Sequence, residues 1–222
     1  TVEKARRRLK AAREAVGDDV SIGVDFHGRV TLPMARKLAT ALEEFDPMFY
    51  EEPVLPENGE AFPAIADATD VPLATGERLY SRWDFKRVFG DGAIGLIQPD
   101  VAHVGGISEM RKVADMAEAY DVAMSPHCAI GPVALTACLH VDAYAQNAFV
   151  QEQSLLRPGR RDMLDYVENT SIFEYEDGGY VDLPPGPGLG IEIDEETVRE
   201  RANSESRVVP RWEHEDGSVA EW

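Results

Sequence analysis

The sequence predicts an α/β chain built as part of a (β/α)8 barrel. Short apolar runs rich in β-formers alternate with helical patterns over the first 152 residues, and an ionisable residue follows each run. Strands alternating with helices of about 10–15 residues indicate βαβ units and a parallel sheet. The runs are VSIGV (20–24), MFY (48–50), VPLAT (71–75), IGLIQP (94–99), VAMS (122–125) and NAFVQ (147–151). Most are apolar at consecutive positions, as strands covered on both faces are. Helical patterns fill 31–45, 57–68, 81–89, 106–120 and 132–146, with Ser81 as an N-cap and Pro47 and Gly90 punctuating helix ends. A charged amphipathic helix, TVEKARRRLKAAREAV, leads into the first run.

The residues that follow the runs are Asp25, Glu51, Glu77, Asp100, His127 and Glu152, at intervals of 26, 26, 23, 27 and 25. That interval matches one strand–loop–helix–loop unit, and groups at the C-terminal strand ends of such a barrel face its active-site mouth. Six units are visible where a barrel closes with eight. The expectation is therefore the C-terminal portion of a longer protein, barrel strands 3–8, with two strands upstream. Residues 1–152 form the partial barrel that carries the site, and 153–222 form an extension that closes it. The extension carries LPPGPGLGIEIDEETV, a Pro/Gly-rich turn before a short helix, and a polar tail. Six units alone leave two open sheet edges, so residues 1–222 by themselves are not expected to form a stable monomer.

Composition excludes several classes of function. The chain has 41 Asp+Glu against 22 Lys+Arg and a formal net charge of −19, which disfavours nucleic acid and an anionic membrane surface as partners. Five Lys against seventeen Arg in so acidic a chain suggest a salt-adapted (halophilic) cytoplasm, the plainer alternative being an acidic soluble protein. Cys128 and Cys138 show no CxxC spacing and fit an intracellular address, no apolar run reaches the ~18–20 residues of a membrane span, and the N-terminus has no apolar signal core. The expected location is the cytoplasm.

Asp25, Glu51 and Glu77 come from three consecutive units and converge on one mouth. Three like charges there call for a counter-charge, and all-oxygen ligation suits a hard cation such as Mg²⁺ better than zinc. The alternative is that Arg78 or Arg82 merely neutralises the acids. Asp100 and His127 follow the next two strands, and an Asp beside a His orients the ring and raises its basicity, which makes a general base for a carbon acid. His27, two residues after Asp25, shares the mouth and supplies a second acid–base group. His140 and His214 read as structural, and His103, near Gly105-Gly106, as a residue that shapes its loop.

VDFHGRV, FYEEPVLPEN, ATGERLYSRWDFKRV, IQPDVAHVGGISE, MSPHCAIGP, VQEQS, PGLGIEID and the terminal HEDGSVAEW together resemble the sugar-acid dehydratases of the enolase superfamily. Within the mandelate racemase-like branch the likeness is to the D-galactonate dehydratase group, and it runs over the whole chain. The resemblance implies that Asp25, Glu51 and Glu77 hold Mg²⁺, and that His127 with Asp100 removes the proton α to the substrate carboxylate. It further implies that His27 protonates the departing β-hydroxyl and that Glu152 contacts the substrate. It also implies one Mg²⁺ per subunit, an N-terminal capping domain that nothing here matches, a homo-oligomer, and an aldonate as substrate. D-galactonate leads, with xylonate, arabinonate or gluconate as alternatives. An epimerase is a further reading, which His27 argues against, and a catalytically dead barrel kept as a binding module is the reading from another class.

Overall fold

The computed structural model describes residues 1–155, 161–202, 213 and 216–218. Helix α1 (Val2–Val16) lies on the outside and is followed by five βα units. The strands are β1 (Gly23–Asp25), β2 (Phe49–Glu51), β3 (Leu73–Thr75), β4 (Leu96–Ile97) and β5 (Ala123–Met124). They form one sheet in the order β1-β2-β3-β4-β5, every pair parallel. Consecutive parallel neighbours joined by helices are the arrangement of a (β/α) barrel wall. The expected fold class is observed.

Strand identity follows burial. β3 is buried at all three positions and lies at the centre of the sheet, whereas β1 alternates exposed and half-buried residues at its edge. The sixth run, 147–151, joins the sheet through a single parallel bridge between Ala148 and Met124. Its ladder bonds run from the Met124 amide to the Asn147 carbonyl and from the Phe149 amide to the Met124 carbonyl. Among the described residues no strand lies on its far side, and Phe149 and Val150 are exposed.

The crossovers are α2 (Leu32–Leu42), α3 (Phe62–Ala66), α4 (Arg82–Phe89), α5 (Ile107–Ala119) and α6 (Pro132–Asp142). The pattern at 57–68 forms a 3₁₀ turn over Pro56–Ala61 before the short α3, because Asn58 leaves helical backbone and Pro63 cannot donate to a preceding turn. Ser81 stands at the N-cap of α4, but its hydroxyl donates to the Asp84 carboxylate (2.9 Å) instead of accepting from a helix amide. Tyr50 anchors α2 on the sheet through its buried hydroxyl, which donates to the Ala39 carbonyl at 2.8 Å, a bond worth about 1 kcal/mol net.

Beyond residue 153, the described part of the extension has 3₁₀ turns at Arg161–Tyr166 and Thr170–Phe173, an antiparallel bridge between Val167 and Ile193, and α7 (Glu195–Ala202). Leu155, Val167 and Phe173 join the hydrophobic core. His140 in α6 contacts the Leu189 carbonyl through Nε2 (3.2 Å), so its ring ties the PGLGIEID segment to the helix, a structural role as expected. His214 and most of the terminal HEDGSVAEW run lie outside the described residues.

At the end of α6, Asp142 is half-buried beside Leu135, Leu139, Phe149 and Phe173, and its two carboxyl oxygens are shielded from solvent with no hydrogen-bond partner among the described residues. Burial pushes its carboxyl up to about 7. The folded chain thus holds this proton to a higher pH than the unfolded chain does. Its stability is full below the ordinary carboxylate value and falls as pH rises toward 7. Asp142→Asn should raise the melting temperature at pH 8 and change it little at pH 4, as read by thermal denaturation of both proteins.

Candidate active site

Parallel register sets the site. Asp25 and Glu51 close β1 and β2 and are direct cross-strand partners. Glu77 lies two residues past β3, and Asp100 and His127 lie three past β4 and β5. The strand ends therefore bring these residues to one mouth, with Glu152 following the bridge at Ala148.

Glu77 occupies the middle. One carboxyl oxygen lies 3.1 Å from His127 Nε2, and the other lies 3.6 Å from His27 Nε2. The Arg78 Nε is 3.7 Å from the same carboxylate. Burial raises the Glu77 carboxyl, against the two histidines, which favour its charge, and with Glu52 and Asp25, which oppose it. His27 sits in left-handed backbone (φ 52°), and its amide donates to Asp25 Oδ1 at 2.6 Å. The His27 ring thus reaches Glu77 from the loop after β1, and His127 reaches it from the segment after β5.

His127 Nδ1 lies 2.7 Å from Asp100 Oδ2. The other Asp100 oxygen accepts from the amides of Ala102 (2.7 Å) and His103 (3.3 Å), which fixes the carboxylate to its own loop. Burial works against the Asp100 charge, but the His127 bond and the Ala102 amide outweigh it and hold the carboxyl below its ordinary value. An ionised Asp only accepts, so Nδ1 carries a proton and Nε2 is the working nitrogen. Burial alone would lower the His127 ring, yet the Asp100 bond and the charges of Glu152 and Glu77 lift it to about 9. Glu152 Oε2 lies 3.9 Å from Nε2 and accepts from the Cys128 amide at 3.0 Å.

Glu51 is the most strained acid of the group. Burial, and then the Asp25 charge, push its carboxyl up to about 8, against a hydrogen bond from Gln98 and with further push from Glu152 and Glu77. The Asp25 carboxyl is also raised, chiefly by burial. Among the described residues, no three His, Cys, Asp or Glu side chains are grouped to hold a metal ion as they stand. The donor set nevertheless fits a hard cation, since it gathers carboxylate oxygens that oppose one another's ionisation at the ends of β1, β2 and β3.

His103 accounts for one link that sequence left open. Its Nδ1 is 3.0 Å from the Glu77 carbonyl, so it joins the loops after β3 and β4, and its ring stacks 6.5 Å from that of His127. Of the two arginines weighed as neutralisers, Arg82 pairs with Glu109 (3.3 Å), and Arg78 spends its fork on Glu52. Glu52 was not singled out in the sequence, because it follows Glu51 and reads as a second loop acid. Its backbone at φ 43° turns it away from the position of Glu51 into the protein, where it is fully buried. Removing one partner of a buried pair costs about 3–5 kcal/mol.

Acids and histidines gathered past the C-terminal ends of parallel strands are the arrangement of a (β/α) barrel mouth. The chain belongs to the enolase C-terminal domain-like family, whose model matches residues 1–197. The D-galactonate dehydratase of Xanthomonas euvesicatoria pv. vesicatoria (strain 85-10) is 51% identical over 225 residues, covering 100% of this chain and 58% of that protein. The D-galactonate dehydratase of Variovorax paradoxus (strain S110) is 51% identical over 224 residues, with 100% and 58% coverage. The crystal structure of a mandelate racemase/muconate lactonizing enzyme from Sulfitobacter sp. superposes with a TM-score of 0.81 at 34% identity, covering 90% of this chain and 48% of that one. The chain thus spans 58% of the length of the curated relatives it matches.

Gly76, one residue before Glu77, has φ 147°, and a Cβ there would fall 2.8 Å from the Gln98 amide nitrogen and 2.9 Å from its carbonyl carbon. Backbone cannot yield as a side-chain tip does. Gly76→Ala should destabilise the protein by about 1–3 kcal/mol in a denaturant titration and depress activity with it.

Proposed function

We propose that the protein dehydrates an aldonate sugar acid, D-galactonate foremost, to a 2-keto-3-deoxy acid. The observation that carries this reading is Glu77 flanked by His27 and His127, the second ring held by Asp100. Two imidazoles approaching one spot from different strands supply the base and the acid that a β-elimination needs. The identity to two D-galactonate dehydratases supports the substrate class.

Asp25, Glu51 and Glu77 would hold a Mg²⁺ ion, which supplies fixed positive charge for the negative charge that develops on the substrate carboxylate. Asp100 keeps the His127 proton on Nδ1, so that Nε2, once unprotonated, takes the α-proton. His27 delivers a proton to the departing β-hydroxyl. Glu152, beside His127 and bonded to the Cys128 amide, contacts the substrate near the atom that loses its proton. An acid placed at the β-hydroxyl gives loss of water, whereas an epimerase needs its acid on the opposite face of the α-carbon. The described part of 153–222 would support the wall by packing Leu155 and Phe173 into the core.

A panel of aldonates assayed with Mg²⁺ on the native, full-length protein should yield 2-keto-3-deoxy acid, with D-galactonate turned over fastest. Ligands retained without turnover on any aldonate would instead favour a binding module. Glu51→Gln removes a charge at nearly constant shape and should lose Mg²⁺ binding and activity together. An unchanged calorimetric titration would take Glu51 out of the ligand set. The histidines separate in D₂O. His127→Asn should abolish dehydration and exchange of the α-hydrogen alike, while His27→Asn should slow dehydration by about 10²–10⁴-fold and still wash deuterium into recovered substrate, as seen by NMR. Exchange in the His127 variant but not in the His27 variant would reverse the two roles.

A further inference from the structure

The loops that follow β1, β2 and β3 meet at Glu52. Its amide donates to the Ala74 carbonyl of β3 (2.9 Å), and its carbonyl accepts from the amide of Gly28 in the loop after β1 (2.7 Å). Both side-chain oxygens are occupied as well. Oε1 accepts from the Thr75 hydroxyl and from the Gly76 amide (3.3 Å), and Oε2 accepts from Arg78 Nε (3.0 Å) and Nη2 (2.7 Å). The Arg78 fork in turn lies against Gly28, where a Cβ would fall 2.6 Å from Nη2.

We propose that the Glu52–Arg78 pair, its carboxylate fully buried, is a positioning device that locks these three loops together and so sets the strand ends from which Asp25, Glu51 and Glu77 would close on a divalent cation. The inference rests on the metal-binding reading of those carboxylates given above. Glu51 and Glu77 are each covalent neighbours of a member of the pair, and Asp25 lies three residues before Gly28. Left-handed backbone at a glutamate is strained and persists only where its surroundings over-determine it. A buried ion pair is a poor device for stability alone, since an apolar pair of similar volume serves as well or better. The two guanidinium bonds converge on Oε2 while Thr75 and Gly76 hold Oε1, and these directed bonds orient the carboxylate as packing alone does not. The pair also takes up the Arg78 charge, leaving that arginine 3.7 Å from Glu77 as a secondary partner only.

The test compares wild type, Arg78→Met, Arg78→Lys and Glu52→Gln in the native, full-length protein by amide hydrogen exchange and by Mn²⁺ binding followed with electron paramagnetic resonance. In Arg78→Met, peptides covering 26–30, 50–54 and 74–79 should lose protection together, while those in α5 and β5 keep theirs. Mn²⁺ affinity should fall about 10–100-fold. Arg78→Lys keeps the charge without the fork and should recover part of the affinity. If Arg78→Met does not fold, Arg78→Lys and Glu52→Gln carry the same comparison. Loss of protection confined to 74–79, spread evenly over the chain, or absent altogether would overturn the proposal. Wild type that fails to bind Mn²⁺ would overturn the metal reading and the preset with it, while the exchange pattern still decides whether the pair couples the loops.

Discussion

Carboxylates placed at the ends of adjacent parallel strands repel one another, and the mouth of this protein is organised around that repulsion. Asp25 and Glu51 are cross-strand neighbours, and burial strips them of the water that would screen their charge. Each remedy in the structure brings positive charge or directed hydrogen bonds to the acids. His27 and His127 flank Glu77, and the amides of Ala102 and His103 hold Asp100. Glu51 keeps the largest unrelieved burden, with its carboxyl near 8. A group left so costly at a mouth is a sign of function, because stability alone would replace it with an apolar residue.

The scaffold tolerates this cost because the acids stand on a rigid wall. β3 is buried at every position, and the helices behind the sheet contribute Phe62, Ile65, Phe85, Met110 and Val113 to one continuous core. The electrostatics are confined to one end of the strands, whereas the packing that holds the fold lies behind and below them.

Much of this was legible in the sequence. Asp25, Glu51, Glu77, Asp100 and His127 were readable because a parallel wall repeats, so one phase of the repeat marks one end of the sheet. The crossover helices were readable for the same reason, to within a few residues at their ends, except over 57–68, where a 3₁₀ turn takes the first half and the α-helix spans only Phe62–Ala66. Glu52 was not, because a periodic reading places one residue per turn and a second acid beside it carries no phase of its own. Only its left-handed backbone, which aims it inward, distinguishes it from Glu51. Ser81 misled for a different reason. Its position was right, but its hydroxyl is turned to donate to Asp84, three places later, and its oxygen meets no helix amide. The NAFVQ run reads as a strand by composition and gains only one bridge, because pairing depends on a neighbour as well as on propensity.

The register of β1 against β2 has a consequence for how such a site can change over evolution. Side chains alternate faces along a strand, so inserting one residue ahead of Tyr50 within β2 would turn Glu51 to the opposite face and bring Tyr50 into its row. The same change in the loop at either end of α2 would be absorbed before the strand begins. By this geometry a change of length is tolerated in the connections, and the spacing within each strand is protected. The loops can lengthen to meet new substrates while the acids stay where they are.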